Sequence, residues 1–148
     1  MNSVKLTRRE IREKALQALY PFDFNQELTK SETIRYALEY NQEEIISEDQ
    51  EEFIPQYLDQ LVSGVCEHQK ELDEKIQANL RGWSLPRLAK TDVIIMRIAI
   101  YEMLYVEDVP TKVALNEAVE LAKKYSDDKS RKFVNGVLSN VAKIIEEA

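Results

Sequence analysis

Ile94-Ile95-Met96-Arg97-Ile98-Ala99-Ile100-Tyr101-Glu102-Met103-Leu104 is the stretch that decides the fold of this chain. From about Lys90 to Tyr105 it runs without a turn signal. β-Branched side chains lower helix propensity slightly, but an uninterrupted run of this length favours helix over strand. The stretch is apolar over more than one face, so it is expected as the central helix of the core.

The reading outward from it is helical throughout. Thr7-Arg8-Arg9-Glu10 has the form of a capping box, and Ile11, Ala15, Ala18, Leu19 and Phe22 follow at helical spacing. Pro21 lacks an N–H and disfavours helix in Tyr20, so the first helix is expected to kink or end near there. Thr29-Lys30-Ser31-Glu32 offers a second box, and the acidic residues 41–51 read as a loop. A third helix is expected from about Glu52 to Glu67, with Phe53, Tyr57, Leu61 and Val65 in step, and a fourth through Leu72, Ile76 and Leu80. Gly82 breaks that helix, and Trp83 after it is expected as a plug between subdomains. Asp108-Val109-Pro110 opens the next helix, and Asp127-Asp128-Lys129-Ser130 separates it from a last one ending at Glu147. Gly136, inside that last helix, costs about 1 kcal/mol against alanine, which points to close packing by another helix. The fold class is therefore all-α, as one domain over residues 1–148, built as two small bundles sharing the central helix.

The 148 residues are enough to bury a core, and 3 Gly and 4 Pro suit a helical protein. One cysteine, Cys66, excludes an internal disulfide framework and fits a reducing cytosol. Cys66 and His68 lie two apart on one helix with no further His or Cys to complete a metal site, so a packed cysteine and a surface histidine are expected. No apolar leader or membrane span is visible, and a cytoplasmic protein is expected. The glutamates of residues 43–52 have too little apolar surrounding to act as an acid/base dyad, and no Gly-rich strand–loop–helix is present for a nucleotide. No catalytic residue and no cofactor are expected.

The net charge of −7 is unevenly spread. Residues 27–60 carry −8, whereas residues 1–14, 81–97 and 123–132 each carry +3. A fold does not need Lys129, Arg131 and Lys132 beside Phe133, so the turn between the last two helices is the first candidate for a functional site. The competing reading is a set of solvated helix ends.

Several of these segments, in this order, resemble the NusB family. They are Arg8-Arg9-x-x-Arg12-Glu13-x-Ala15-Leu16-Gln17-Ala18-Leu19-Tyr20, Ile94–Leu104, Asp108-Val109-Pro110, Asn116–Lys124 and Lys132-Phe133-Val134-Asn135-Gly136-Val137-Leu138. The resemblance implies about seven helices in two subdomains and a bacterial transcription antitermination factor. It implies binding of the single-stranded boxA element of nascent RNA, chiefly from ribosomal RNA operons, together with NusE, a small-subunit ribosomal protein. Other Nus factors and RNA polymerase are implied as indirect partners. Some members form homodimers, so oligomeric state is left open.

Single-stranded RNA is held by cations along its phosphates and by aromatic or guanidinium planes against its bases. The RNA-binding candidates are Arg8, Arg9 and Arg12 at the start of the first helix, and Lys129, Arg131, Lys132 and Phe133 at the last turn. Core packing is the alternative for Phe133, and RNA contact beside Arg81 and Arg87 is the alternative for Trp83. In relatives the position of Lys129 is often acidic, so a lysine there is expected to strengthen RNA binding. For NusE, the candidates are Asp92, as acceptor for a basic partner residue, with Arg97 and Glu102; the alternative for Asp92 is a charge complementing its helix N-terminus. Asn116 and Glu117 read as structural. The rival function is a helical adaptor that binds protein only.

Overall fold

The computed structural model describes residues 6–25, 27–39 and 55–148. Among them there are seven α-helices: α1 (Arg8–Phe24), α2 (Lys30–Glu39), α3 (Gln56–Glu67), α4 (Gln69–Gln77), α5 (Lys90–Tyr105), α6 (Thr111–Tyr125) and α7 (Asp128–Glu147). A 3₁₀ turn spans Leu85–Arg87, and no strand occurs among the described residues. The chain divides into two compact units, Met1–Ser63 and Gly64–Ala148.

In the first unit both capping boxes form. Glu10 N–H donates to Thr7 Oγ1 at 3.1 Å and Thr7 N–H to Glu10 Oε1 at 2.8 Å. Thr29 and Glu32 repeat the pair at the head of α2, at 3.1 and 2.8 Å. The hydrogen bonds from Thr29 hold the Glu32 carboxyl below its ordinary range. Ile11, Ala15, Ala18 and Leu19 are buried as their spacing predicts, and α1 packs against α2. α1 ends near Pro21, at Phe24. Only three residues follow the proline, and the last turn closes through Asn25 N–H to Pro21 O at 3.0 Å, so the missing donor disturbs one turn only. The acidic stretch 41–51 and the expected helix start at Glu52 and Phe53 lie outside the described residues.

The second unit is built around α5, in which every residue from Asp92 to Met103 is buried. α5 packs against α4, α6 and α7; α6 also packs on α7. Polar pairs fix the directions. Arg97 grips Asp73 with two bonds, Nε to Oδ1 at 2.7 Å and Nη2 to Oδ2 at 3.0 Å, and Tyr105 Oη donates to Glu71 Oε1 at 2.5 Å, so α4 runs antiparallel to α5. Ser126 Oγ donates to Asp92 Oδ1 at 2.9 Å, and Thr111 bonds Glu146, which makes α5–α6 and α6–α7 antiparallel as well. One end of this bundle therefore gathers the C-termini of α4 and α6 with the N-termini of α5 and α7.

Glycine and histidine positions correct the expectation. Gly136 is exposed, with nothing within 4 Å of where its Cβ would stand, so no helix packs there. Close approach falls instead at Gly64, where a Cβ would overlap the buried Tyr101 ring, with Oη at 2.6 Å and two ring carbons nearer still. His68 is not a plain surface residue. It stacks on Tyr105 at 4.3 Å between ring centroids and lies 6.0 Å from Tyr101, while Cys66 is half-buried.

Candidate nucleic-acid interface

The turn between α6 and α7 is held by two carboxylates with different tasks. Asp127 caps α7 by accepting from Ser130 N–H at 2.8 Å; that bond chiefly, with Lys129 nearby, keeps its carboxyl below the ordinary range. Asp92 is 5% exposed and anchors the turn from inside through Ser126. Around this support Lys123, Lys124, Lys129 and Lys132 are exposed, and Arg131 is half-exposed. Arg131 leans on Asp128, Nη2 to Oδ1 at 2.6 Å, and Lys132 Nζ lies 3.7 Å from the other oxygen of the same carboxylate. Ion pairs this exposed contribute little, so a phosphate can compete for both cations. Val119, Glu120, Lys123, Asp127, Asp128 and Arg131 line an open groove along the turn. Phe133 is half-buried at the margin of the apolar stripe, beside the buried Val134, Val137, Leu138 and Val141.

The antiparallel arrangement brings a second basic stretch to the same end. Arg81, Arg87 and Lys90 lie between the end of α4 and the first residue of α5; Arg81 and Arg87 are exposed and Lys90 is half-buried. Two of the three basic islands, separated in sequence by about thirty residues of α5 and α6, thus share one bundle end. Lys123 and Lys124 belong to this set and were missing from the candidate residues, although the charge of residues 123–132 already marked them. Trp83, expected as a plug, is 56% exposed.

In the first unit, Arg8 and Arg9 are exposed at the head of α1, with the Arg8 guanidinium 3.9 Å above the Tyr57 ring. Arg12 departs from the expectation: it is 5% exposed. Arg8 and Arg9 stand four and three residues before it and the buried Ala15 and Leu16 three and four after it, so Arg12 continues their flank of α1 to where the helix is covered.

The residues expected to meet a protein partner are also interior. Asp92, Arg97 and Glu102 are 5%, 4% and 1% exposed. Because α5 is enclosed by its neighbours, Asp92 accepts from Ser126 and Arg97 pairs with Asp73 inside the second unit. Among the described residues, no group of three metal-ligating side chains occurs and no helix is long and apolar enough to cross a membrane.

Fold and charge together define an all-α protein of two helical units with one electropositive bundle end. The family model of the NusB family matches residues 9–143. The chain is 65% identical over 99% of its length to the transcription antitermination protein NusB of Enterococcus faecalis, covering 96% of that protein. It is 48% identical over 97% of its length to the protein of the same name from Bacillus subtilis, covering all of it. Among solved structures it is similar to T. maritima NusB, at TM-score 0.78 and 30% identity, covering 98% of this chain and 100% of that one. It is also similar to a chain in a crystal structure of the antitermination factors NusB and NusE in complex with dsRNA, at TM-score 0.75 and 29% identity, covering 93% and 96%. The chain belongs to the NusB family.

Proposed function

We propose that this chain is a transcription antitermination factor that holds the single-stranded boxA element of nascent transcripts, notably from ribosomal RNA operons, together with NusE. It acts in the bacterial cytoplasm and reaches the other Nus factors and RNA polymerase through that complex. The observation that carries the reading is the gathering of cations from residues 81–90 and 123–132 at one end of the second unit, on a chain of net charge −7. The relatives' name as antitermination proteins supports it, and the solved complex of NusB and NusE with dsRNA supports NusE and RNA as partners.

In this reading Lys129, Arg131 and Lys132 neutralise phosphates, and Phe133 uses its exposed edge against a base. Arg8 and Arg9 supply further phosphate contacts from the first unit. Arg12, buried with Ala15 and Leu16, supports the helix that carries them. No step is catalytic; affinity comes from charge, stacking and the partner. The test is a gel-shift titration with boxA RNA and a scrambled control, each with and without NusE. Weak binding of boxA alone, tighter binding with NusE and little binding of the control are expected. Equal affinity for both RNAs, or none for either with NusE binding intact, overturns the proposal and favours a protein-only adaptor.

A further inference from the structure

Trp83 stands in an ordered loop between α4 and α5 that the packing of the second unit does not explain. The Gln77 side chain grips the loop on both sides of Ser84: Nε2 donates to Trp83 O at 3.2 Å, and Oε1 accepts from Leu85 N–H at 2.9 Å. Gly82, just before the tryptophan, has φ +76° with nothing within 4 Å of where a Cβ would stand, so glycine answers a backbone need alone. The Leu85–Arg87 turn closes the other side through Arg87 N–H to Ser84 O at 3.0 Å. This firm backbone presents an indole that is 56% exposed.

The surroundings select the ligand. From Lys75 to Thr91 the chain has no acid, although it carries 27 in all, and Arg81 and Arg87 flank Trp83 as exposed cations. Protein hot spots also favour tryptophan and arginine. An acid-free run on an acidic protein, however, suits a polyanion better than a mixed protein surface. The loop leads into α5, whose Asp92 holds the α6–α7 turn through Ser126, so the indole lies at the bundle end that bears the lysines. Eight residues lie between Trp83 and Asp92, so their Cα atoms stand at most roughly 30 Å apart.

We infer that Trp83 is a stacking platform for one unpaired nucleobase of bound RNA, with Arg81 and Arg87 on the adjoining phosphates. The inference rests on the RNA-binding reading above and extends it to a site beyond the α6–α7 turn. Because the backbone is already fixed, stacking has only the side chain left to order.

Trp83 is the only tryptophan, so its emission reports on this position alone. Titrating the full chain with an unstructured boxA oligoribonucleotide is expected to quench that emission along the same curve as a label on the RNA. Trp83→Ala is expected to weaken binding about ten-fold, the scale of one lost base–aromatic stack, and Trp83→Phe to recover most of it. Circular dichroism melts of both variants are expected to match the wild type, since the ring is outside the core. Wild-type binding with unchanged emission and an unaffected Trp83→Ala variant overturns the inference while leaving the RNA reading intact. An emission change with NusE but not with RNA overturns it in favour of a protein contact. Absence of any wild-type RNA binding defeats both.

Discussion

Adding one methyl group to each of two helical glycines is expected to move stability in opposite directions. At Gly64 the new Cβ stands 2.6 Å from Tyr101 Oη, against the 3.4 Å at which ordinary contact begins, and closer still to two ring carbons. The ring has little room to retreat, being 7% exposed and 5.3 Å from the Tyr105 ring. An overlap this deep costs about 2–3 kcal/mol, the upper part of the range for overpacking. Alanine returns up to about 1 kcal/mol of helix propensity, so Gly64→Ala is expected to lose about 1–2 kcal/mol overall. Gly136→Ala meets nothing within 4 Å in an exposed helix interior, and gains about 0.5–1 kcal/mol from the same propensity. Urea melts followed by circular dichroism read both as shifts in midpoint at constant slope. Combining Gly64→Ala with Tyr101→Leu, which removes the obstructing ring, is expected to show favourable coupling in a double-mutant cycle. A Gly64→Ala protein as stable as the wild type refutes the packing argument.

Arg97→Ala strips the buried partner from Asp73; because Asp73 is about a quarter exposed and can recover water, a loss of about 2 kcal/mol is expected in the same melts, below the cost of breaking a fully buried pair. Asp127 has a lowered carboxyl pKa in the folded chain, so its capping contribution is present above the ordinary value of 3.8 and is lost as pH falls through the folded value. Asp127→Asn keeps an oxygen acceptor without that titration, and the wild type is expected to lose thermal stability relative to it between pH 5 and pH 3; parallel profiles would contradict the assignment. Lys129→Asp replaces attraction by repulsion at the α6–α7 turn and is expected to weaken boxA binding in low salt, an effect that unchanged affinity there would rule out.

Local features were readable from residues alone, and long-range ones were not. Both capping boxes and the buried stripe of α1 depend on neighbours within one turn, so spacing sufficed to place them. α5 was recognisable because its apolar residues occupy every face. The role of Arg97 was not, because its partner Asp73 lies 24 residues away and an arginine in such a helix reads equally well as a surface contact. The bond that Ser126 makes to Asp92 was hidden for the same reason, the two lying 34 residues apart. Gly136 drew attention by standing mid-helix, whereas Gly64 carries the real close approach, visible only once Tyr101 is placed. At the site, the charge of each basic island was plain from the sequence, but the meeting of two of them required the antiparallel order of α4 to α7.

The central claim is that separated cations form one track for an RNA backbone, and the salt dependence of affinity tests it most directly. Affinity of the wild type for a boxA oligoribonucleotide, measured across a series of monovalent salt concentrations, is expected to fall with a log–log slope of about −3 to −4. That corresponds to roughly five neutralised phosphates at about −0.7 each. A slope near zero would mean that RNA, if bound, is not held by these side chains.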